Sequence, residues 1–422
     1  MRFSINILAL YAVLSLTSMA GMNLGFLLVF LWFLAALLGM RGAILEPVRS
    51  TLGYRPYRNS ALFLFSSCLL SLLMAKVQPF SYAGHAPEVT FHGVLKIWYL
   101  ICPLVLSVVF STHVQSSLEG LKFITRAWWS MTILLGLIAI IQFNTGWPHR
   151  QVIPTNPTHF HATLFLGHHL STSSILVFPA FTALAVALGT LLREGRWRFL
   201  EWTAGCAGLL ILFLSYARTA WLALPIGIVL LFARYLKPRT FWASTGALLV
   251  MILVGSQTPA MKERIRNSMG IRDRILLWEA NLDYFKHRPL TGIGWLKTQE
   301  MSEFYFKEKD PENYKSYFWG HAHNNFFEML GGTGVLGTLA FLIWSVFTLR
   351  FAHRTRIMSD EIRNPFLSDL SSGILAGLIL LHFNGLTNVT FWEGKVMHQQ
   401  MFAIGLLFMI QILIKSGAKK IG

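Results

Sequence analysis

Apolar runs long enough to cross a bilayer recur along the whole chain, separated by short segments that hold most of the charge. We read twelve, at roughly 5–21, 24–40, 60–78, 94–112, 127–143, 171–192, 202–216, 219–235, 241–256, 323–349, 367–388 and 397–414. The first two are expected to meet at a tight turn around Gly21-Met22-Asn23. The seventh and eighth join almost directly through Ser215-Tyr216-Ala217-Arg218. One interruption is long. Between 257 and 322 the pattern is polar, with a helical period over Asp273–Phe285 that sets Ile275, Trp278, Leu282 and Phe285 toward one side. Such a helix can lie on a bilayer surface. Pro289 to Trp295, with Gly292 and Gly294, reads as a turn. The expected fold is all-α: a polytopic transmembrane helical bundle of about twelve spans with one long outer loop containing an amphipathic helix. Residues 1–256 carry helices one to nine, 257–322 the loop, and 323–422 the last three. A membrane β-barrel would show short alternating segments instead.

Composition agrees with this pattern. Of 422 residues 54% are hydrophobic and 13% charged, with a mean hydropathy of +0.53. The net charge of +17 would suit nucleic acid, but its distribution argues otherwise. With both termini in the cytoplasm, the inner segments hold 20 of the 36 Lys and Arg, the short outer segments 5 and the long loop 11. Long loops weigh little in topology, so the inner excess sets the orientation. The charge is then a topological anchor, suited also to anionic lipid heads. No nucleic-acid partner is expected. Cys68, Cys102 and Cys206 lie inside apolar runs and read as small core residues. The first apolar run flows into a second, so it reads as a retained helix and not a cleaved signal.

This orientation puts Asn144–Leu170, the 257–322 loop and the Asn384–Lys395 turn on the outer face, where function is expected. The last loop residues run into Gly320-His321-Ala322-His323-Asn324-Asn325, followed by an apolar helix with Gly331, Gly332, Gly334 and Gly337. Asn324 or Asn325 can cap that helix. The glycines let another backbone or a lipid come close. The helix dipole favours a neutral His323, a general base in waiting. A capping turn with incidental histidines accounts for the same residues equally well. Arg218 stands between two apolar runs, where it can hold phosphate through its planar fork or snorkel to the interface. Arg272 and Arg274 can add donors from the loop helix. The loop aromatics Tyr305, Phe306, Tyr314, Tyr317, Phe318 and Trp319 suit interfacial anchoring or sugar stacking. His321-x-His323, with His149, His159, His161, His168 and His169, could hold zinc, but no third ligand sits at a diagnostic spacing, so no metal and no cofactor are expected. No Gly-x-x-x-x-Gly-Lys-[Ser/Thr] segment occurs, so an outer-face enzyme needs a pre-activated substrate. A flippase or transporter is the other class; the lack of mid-span acids disfavours proton coupling.

At these residues the chain resembles the O-antigen ligase family of bacterial membrane glycosyltransferases. His323-Asn324, followed after nine residues by Gly334-x-x-Gly337, fits that family's histidine motif. Arg218-x-x-x-Leu222 fits its other short motif. Arg274-Ile-x-x-Trp278 followed by Pro289-x-x-Gly292-x-Gly294 is similar to the superfamily loop pattern, with Asp273 where a serine often precedes the Arg. The resemblance covers essentially the whole chain. It implies a multi-pass protein of the bacterial inner membrane with its active site facing the periplasm. Its donor would be a glycan on undecaprenyl diphosphate and its acceptor a sugar hydroxyl of lipid A–core. On that reading His323 is the catalytic base. Arg218 and Arg274, with Arg272, bind the diphosphate, and His321 supports the site. An O-antigen polymerase and a protein O-oligosaccharyltransferase of the same superfamily share the donor and differ in the acceptor.

Overall fold

The computed structural model describes residues 3–39, 54–89, 93, 96–112, 117–153, 156–233, 235, 238–256 and 269–416. Residues 41–53 of the inner loop, and 257–268 with Lys262, Arg264 and Arg266, lie outside the described residues. The chain is mostly helical. In chain order the helices are α1 (Phe3–Leu14), α2 (Met19–Gly39), α3 (Arg55–Val77), α4 (Cys102–Ser111), α5 (Leu118–Thr145), α6 (His169–Glu194) and α7 (Phe199–Leu214). They continue with α8 (Arg218–Phe232), α9 (Pro238–Ser256), α10 (Met269–His287), α11 (Thr298–Lys309), α12 (Asn325–Glu361), α13 (Pro365–Asn384) and α14 (Gly394–Lys415). A short antiparallel hairpin, β1 (Val152–Ile153) and β2 (Asn156–Phe160), follows α5; no alternating pattern in the sequence had announced it.

Each of the twelve apolar runs contains helix. Among the described residues seven helices, α2, α3, α5, α6, α12, α13 and α14, are long and apolar enough to cross a membrane by length and composition. Apolar but shorter are α1, α7 and the segment Trp98–Ser111. The chain is thus a multi-pass membrane protein. Its centre is formed by α6 and α14, which are buried nearly throughout, as expected of helices apolar on every face. Packed around α6 are α5, α7, α13 and α14.

The first turn falls elsewhere than expected. Gly21, Met22 and Asn23 are inside α2, and the break lies at Ser15–Ser18. Side chains explain it. Ser15 Oγ donates to Ala12 O and Thr17 Oγ1 to Leu14 O, both at 2.8 Å, while Ser18 Oγ accepts from Gly21 N–H at 3.2 Å. Hydroxyls that serve the helix ends end one helix and start the next. Gly25 instead permits close approach: a Cβ there would stand 3.0 Å from the Tyr11 ring.

The loop helix α10 covers the expected Asp273–Phe285, but its inner face differs from the expected stripe. Leu277, Ala280, Asn281 and Tyr284 are buried, whereas Ile275 and Leu282 are exposed. Small residues win because the partner is the glycine run of α12: a Cβ on Gly331 would come 2.3 Å from Asn281 Oδ1. The exposed Ile275 and Leu282 remain as the outward apolar face. After α10, a second loop helix, α11, contributes Met301 to a small separate core with Tyr82, Ala280, Tyr284 and Ile293. Tyr82 Oη also donates to the Asp283 carboxylate, strapping the 80–89 segment to the loop.

The glycine run is not a smooth helical face. At Gly334, φ 64 and ψ −163 break α12 into two helical pieces. The turn after α10 fills the break and bonds to its backbone. Ile293 and Gly294 N–H donate to Gly331 O and Gly332 O, both at 3.0 Å, and Val335 N–H donates to Pro289 O at 2.8 Å. Ser71 Oγ, from α3, adds a bond to Gly332 O at 2.8 Å. Broken helix is tolerated at membrane depth only where its freed backbone groups are met like this. The sequence patterns around Pro289–Gly294 and Gly331–Gly337 are therefore the two halves of one contact. Gly334→Ala is expected to destabilise the fold by about 2–5 kcal/mol, through a forbidden φ/ψ and a Cβ 2.5 Å from the Leu290 carbonyl carbon. Gly332→Ala, whose Cβ would meet nothing nearer than Gly294 O at 3.4 Å, is expected to be near neutral. Thermal unfolding of the two purified variants side by side checks this. Equal melting temperatures contradict it.

Candidate active site

The segment between α11 and α12 is fixed at Ala322. Its carbonyl accepts from Trp278 Nε1 at 2.8 Å, and its N–H donates to Glu328 Oε2 at 2.6 Å. Glu328 is buried one turn into α12, and its other oxygen accepts from Thr298 Oγ1. Trp278 in turn stacks on Phe327, with ring centroids 4.9 Å apart. One peptide is thereby held from the loop helix on one side and from α12 on the other. The residues flanking it are His321 and His323.

Asn324 caps α12. Its Oδ1 accepts from the N–H groups of Phe326 and Phe327 at 2.8 and 3.2 Å, and its Nδ2 donates to Leu386 O at 2.8 Å. Asn325 does a different task. Its N–H donates to Gly385 O at 2.7 Å, its Nδ2 to Thr390 Oγ1 at 2.8 Å, and its Oδ1 accepts from Thr390 N–H at 2.8 Å. The two asparagines divide the work that the sequence offered to either. Together they strap the 385–391 turn to the start of α12 and bring Asn388 to the His323 ring.

His323 has φ 48, a left-handed conformation that costs a residue with a Cβ about 1–2 kcal/mol. The conformation folds the two imidazoles together. Their centroids are 4.1 Å apart, and His321 Nδ1 accepts from the His323 N–H at 3.2 Å. Phe318 stands 5.7 Å from His323 on the other side. The Nδ1 of His323 is buried without a hydrogen-bond partner among the described residues. Native structures seldom leave such an atom unserved.

Burial pushes His323 down to about 3, and the neighbouring His321, Arg274 and His168 push the same way, against a smaller opposing effect of Asn388. Burial likewise takes His321 down to about 4, with His168 and Arg274 adding to it. Both rings are neutral at physiological pH. The helix start was the expected cause; burial is the larger one.

Arg274, from α10, thus lies close enough to act on both histidines. Arg272, two residues earlier, is exposed and reaches Tyr317 instead. Arg218 is the first residue of α8, after the Ala217 cap; its side chain lies outside the described residues. The turn before it is nonetheless tied toward the histidines. The His161 ring, through Nδ1, is 2.8 Å from Ser215 O and stacks on His169 at 4.5 Å, and His169 lies 4.9 Å from His168. Burial lowers His168 as well, together with Lys395 and His161. The structure therefore brings His321, His323, Arg274 and His168 to one place and leaves Arg272 apart. Asn388 is not singled out by the sequence, its only signal being its place on a segment expected at the outer face; His168 enters there only in the zinc set and Trp278 only in the loop pattern, not as parts of this site. Among the described residues no group of three or more His, Cys, Asp or Glu is placed to hold a metal ion.

A half-buried, neutral histidine pair beside an arginine, at a helix start, has the chemistry to accept a proton next to an anionic group. Residues 203–342, which run from α7 through the loop to the glycine run, match a family model described as O-antigen ligase. That stretch, about a third of the chain, is similar to the O-antigen ligase family, and it holds Arg218, Arg274, His321 and His323. No curated protein matches the chain.

Proposed function

We propose that this protein is an O-antigen ligase. It moves a glycan from undecaprenyl diphosphate to a sugar hydroxyl of lipid A–core at the periplasmic face of the bacterial inner membrane. The observation that carries this reading is the neutral His323, held in strained backbone beside Arg274, within the stretch that matches the family. His323 accepts the proton of the acceptor hydroxyl as its oxygen forms a bond to the anomeric carbon. The bond from that carbon to the diphosphate oxygen breaks on the opposite face, so the centre inverts. Negative charge grows on the leaving diphosphate, where Arg274 and Arg218 stabilise it. Protein cations thus carry the charge without a metal. His321 orients the His323 backbone. The 257–322 loop is the periplasmic part, its described residues placing Arg274 and Trp278 beside the site, and the Lys and Arg excess at the other end faces the cytoplasm.

The test is to incubate the purified protein with lipid-linked glycan and, separately, lipid A–core, a second lipid-linked glycan or an acceptor peptide, without ATP or added metal. Product on lipid A–core is expected. Product only on lipid-linked glycan or on peptide converts the reading to a polymerase or a protein glycosyltransferase. No product with any acceptor removes it.

The depressed imidazoles set the pH dependence. The base works in its neutral form, and a lowered pKa keeps it neutral below 6.5. The ratio kcat/KM, which reports the free enzyme, is expected to stay flat from pH 8 to pH 5 and to fall only toward pH 3–4. With the dianionic donor bound, the imidazolium is favoured, so kcat should break at a higher pH than kcat/KM. A kcat/KM profile that breaks at 6.5 contradicts a buried base.

A further inference from the structure

A polar cavity lies at the far end of the bundle from the histidines. α6 connects the two, starting at His169 beside His168 and ending at Glu194 in the cavity wall; its 26 residues span about 39 Å. The cavity measures about 290 Å³. Four cations line it, Lys122, Arg193, Arg198 and Arg363, against one carboxylate, Glu194. Three of them are held from behind by acids that do not line it. The buried Asp369 carboxylate accepts from Arg193 through both oxygens and from Tyr235 Oη at 2.6 Å. Lys122 reaches Glu119 at 2.7 Å, and Arg198 reaches Glu201 at 3.4 Å. Arg363 makes no ion pair among the described residues, and at φ 54 it precedes the Asn364 cap of α13. The helices α5 and α13 both begin at the cavity, their positive ends toward it.

The same level carries the marks of a bilayer interface. Trp197 and Phe199, set among Arg196 and Arg198, are 72% and 84% exposed. Exposed aromatics among arginines sit where head groups meet hydrocarbon. Part of the lining is apolar, with Leu118, Val186 and Phe366. A soluble anion has no use for that part, which the glycerol and first methylenes of a glycerophospholipid would cover.

We propose that this cavity binds the phosphate head group of an anionic phospholipid from the leaflet at that end of the bundle. The anchored cations offer preformed N–H donors to a phosphodiester, and Arg363 supplies the uncompensated charge. This assignment does not depend on the glycosyl-transfer reading.

The experiment uses the purified full chain in lipid nanodiscs of phosphatidylcholine alone or mixed with phosphatidylglycerol. Native mass spectrometry counts retained lipid, and thermal unfolding reports stabilisation. Wild-type protein is expected to retain phosphatidylglycerol and to melt higher in its presence. Lys122→Gln and Arg363→Asn, each made singly, should weaken retention several-fold, and combined by roughly tenfold or more. Asparagine tolerates the left-handed backbone at 363, so that variant keeps the turn. Equal retention by wild type and either single variant overturns the proposal. So does stabilisation by phosphatidylcholine as strong as by phosphatidylglycerol. Inorganic phosphate in a phosphatidylcholine disc should give no protection; if it protects as well as the lipid, the occupant is a soluble anion and the lipid assignment fails.

Discussion

Replacing His323 by alanine is expected to lower glycosyl transfer by on the order of 100- to 10,000-fold while folding and donor binding survive. The expectation rests on placement. The ring is neutral, half-buried and beside Arg274, and its Nδ1 has no protein partner among the described residues. The backbone that aims it is held by groups other than its own side chain, namely Trp278 and Glu328 on Ala322 and the Asn324 cap. Loss of the imidazole should therefore leave the site assembled. His323→Asn is the better control for the backbone, because asparagine adopts φ near +50 more readily than alanine. His321→Ala should cost less, since His321 touches the reaction only by accepting the His323 N–H at 3.2 Å. Turnover and donor affinity measured on all three variants decide the matter. Turnover near wild type in His323→Asn removes the base assignment. Loss of donor binding in that variant turns His323 into a ligand of the diphosphate.

The chain itself announced one half of this site more clearly than the other. His323-Asn324 ahead of an apolar run is a local pattern, and local chemistry, a cap on a helix, realises it. The glycines of α12 were legible as a place of close approach, and so was the turn signal at Pro289–Gly294. Their union was not, because nothing in either segment encodes backbone bonds between residues forty apart. The inner face of α10 was misread for a related reason. Periodicity counts large apolar side chains, whereas a glycine-lined partner selects Ala280 and Asn281. At Ser15–Ser18 three hydroxyls set the turn ahead of Gly21, where the sequence pattern had put it. The depth of the histidines was also invisible: a helix start alone nudges a pKa, and only the surrounding fold desolvates the ring. Asn388 and His168 reach it through contacts sixty and more residues away in sequence, so no motif could present them together.

Arginine provides the second large effect, and here the structure separates two neighbours that sequence could not. Arg274→Gln is expected to lower transfer by roughly 100- to 1,000-fold, the usual cost of removing one donor aimed at developing charge. Arg272→Gln should stay within a few-fold, because Arg272 is exposed and engages Tyr317. Arg274→Lys should recover little, since an ammonium cannot offer two parallel N–H bonds to a diphosphate. A second readout guards against a merely structural role. The positive charge of Arg274 is one of the influences that hold His323 and His321 low. Its removal must raise both pKa values, so the low-pH limb of kcat/KM should move to higher pH in Arg274→Gln. The sign is fixed: a cation removed makes protonation easier, and a base protonated earlier fails earlier as pH falls. Arg272→Gln should leave the limb where it was. Equal losses in the two variants, or a limb that does not move in Arg274→Gln, would mean that the arginine acts at a distance from the histidines and that the diphosphate is held elsewhere.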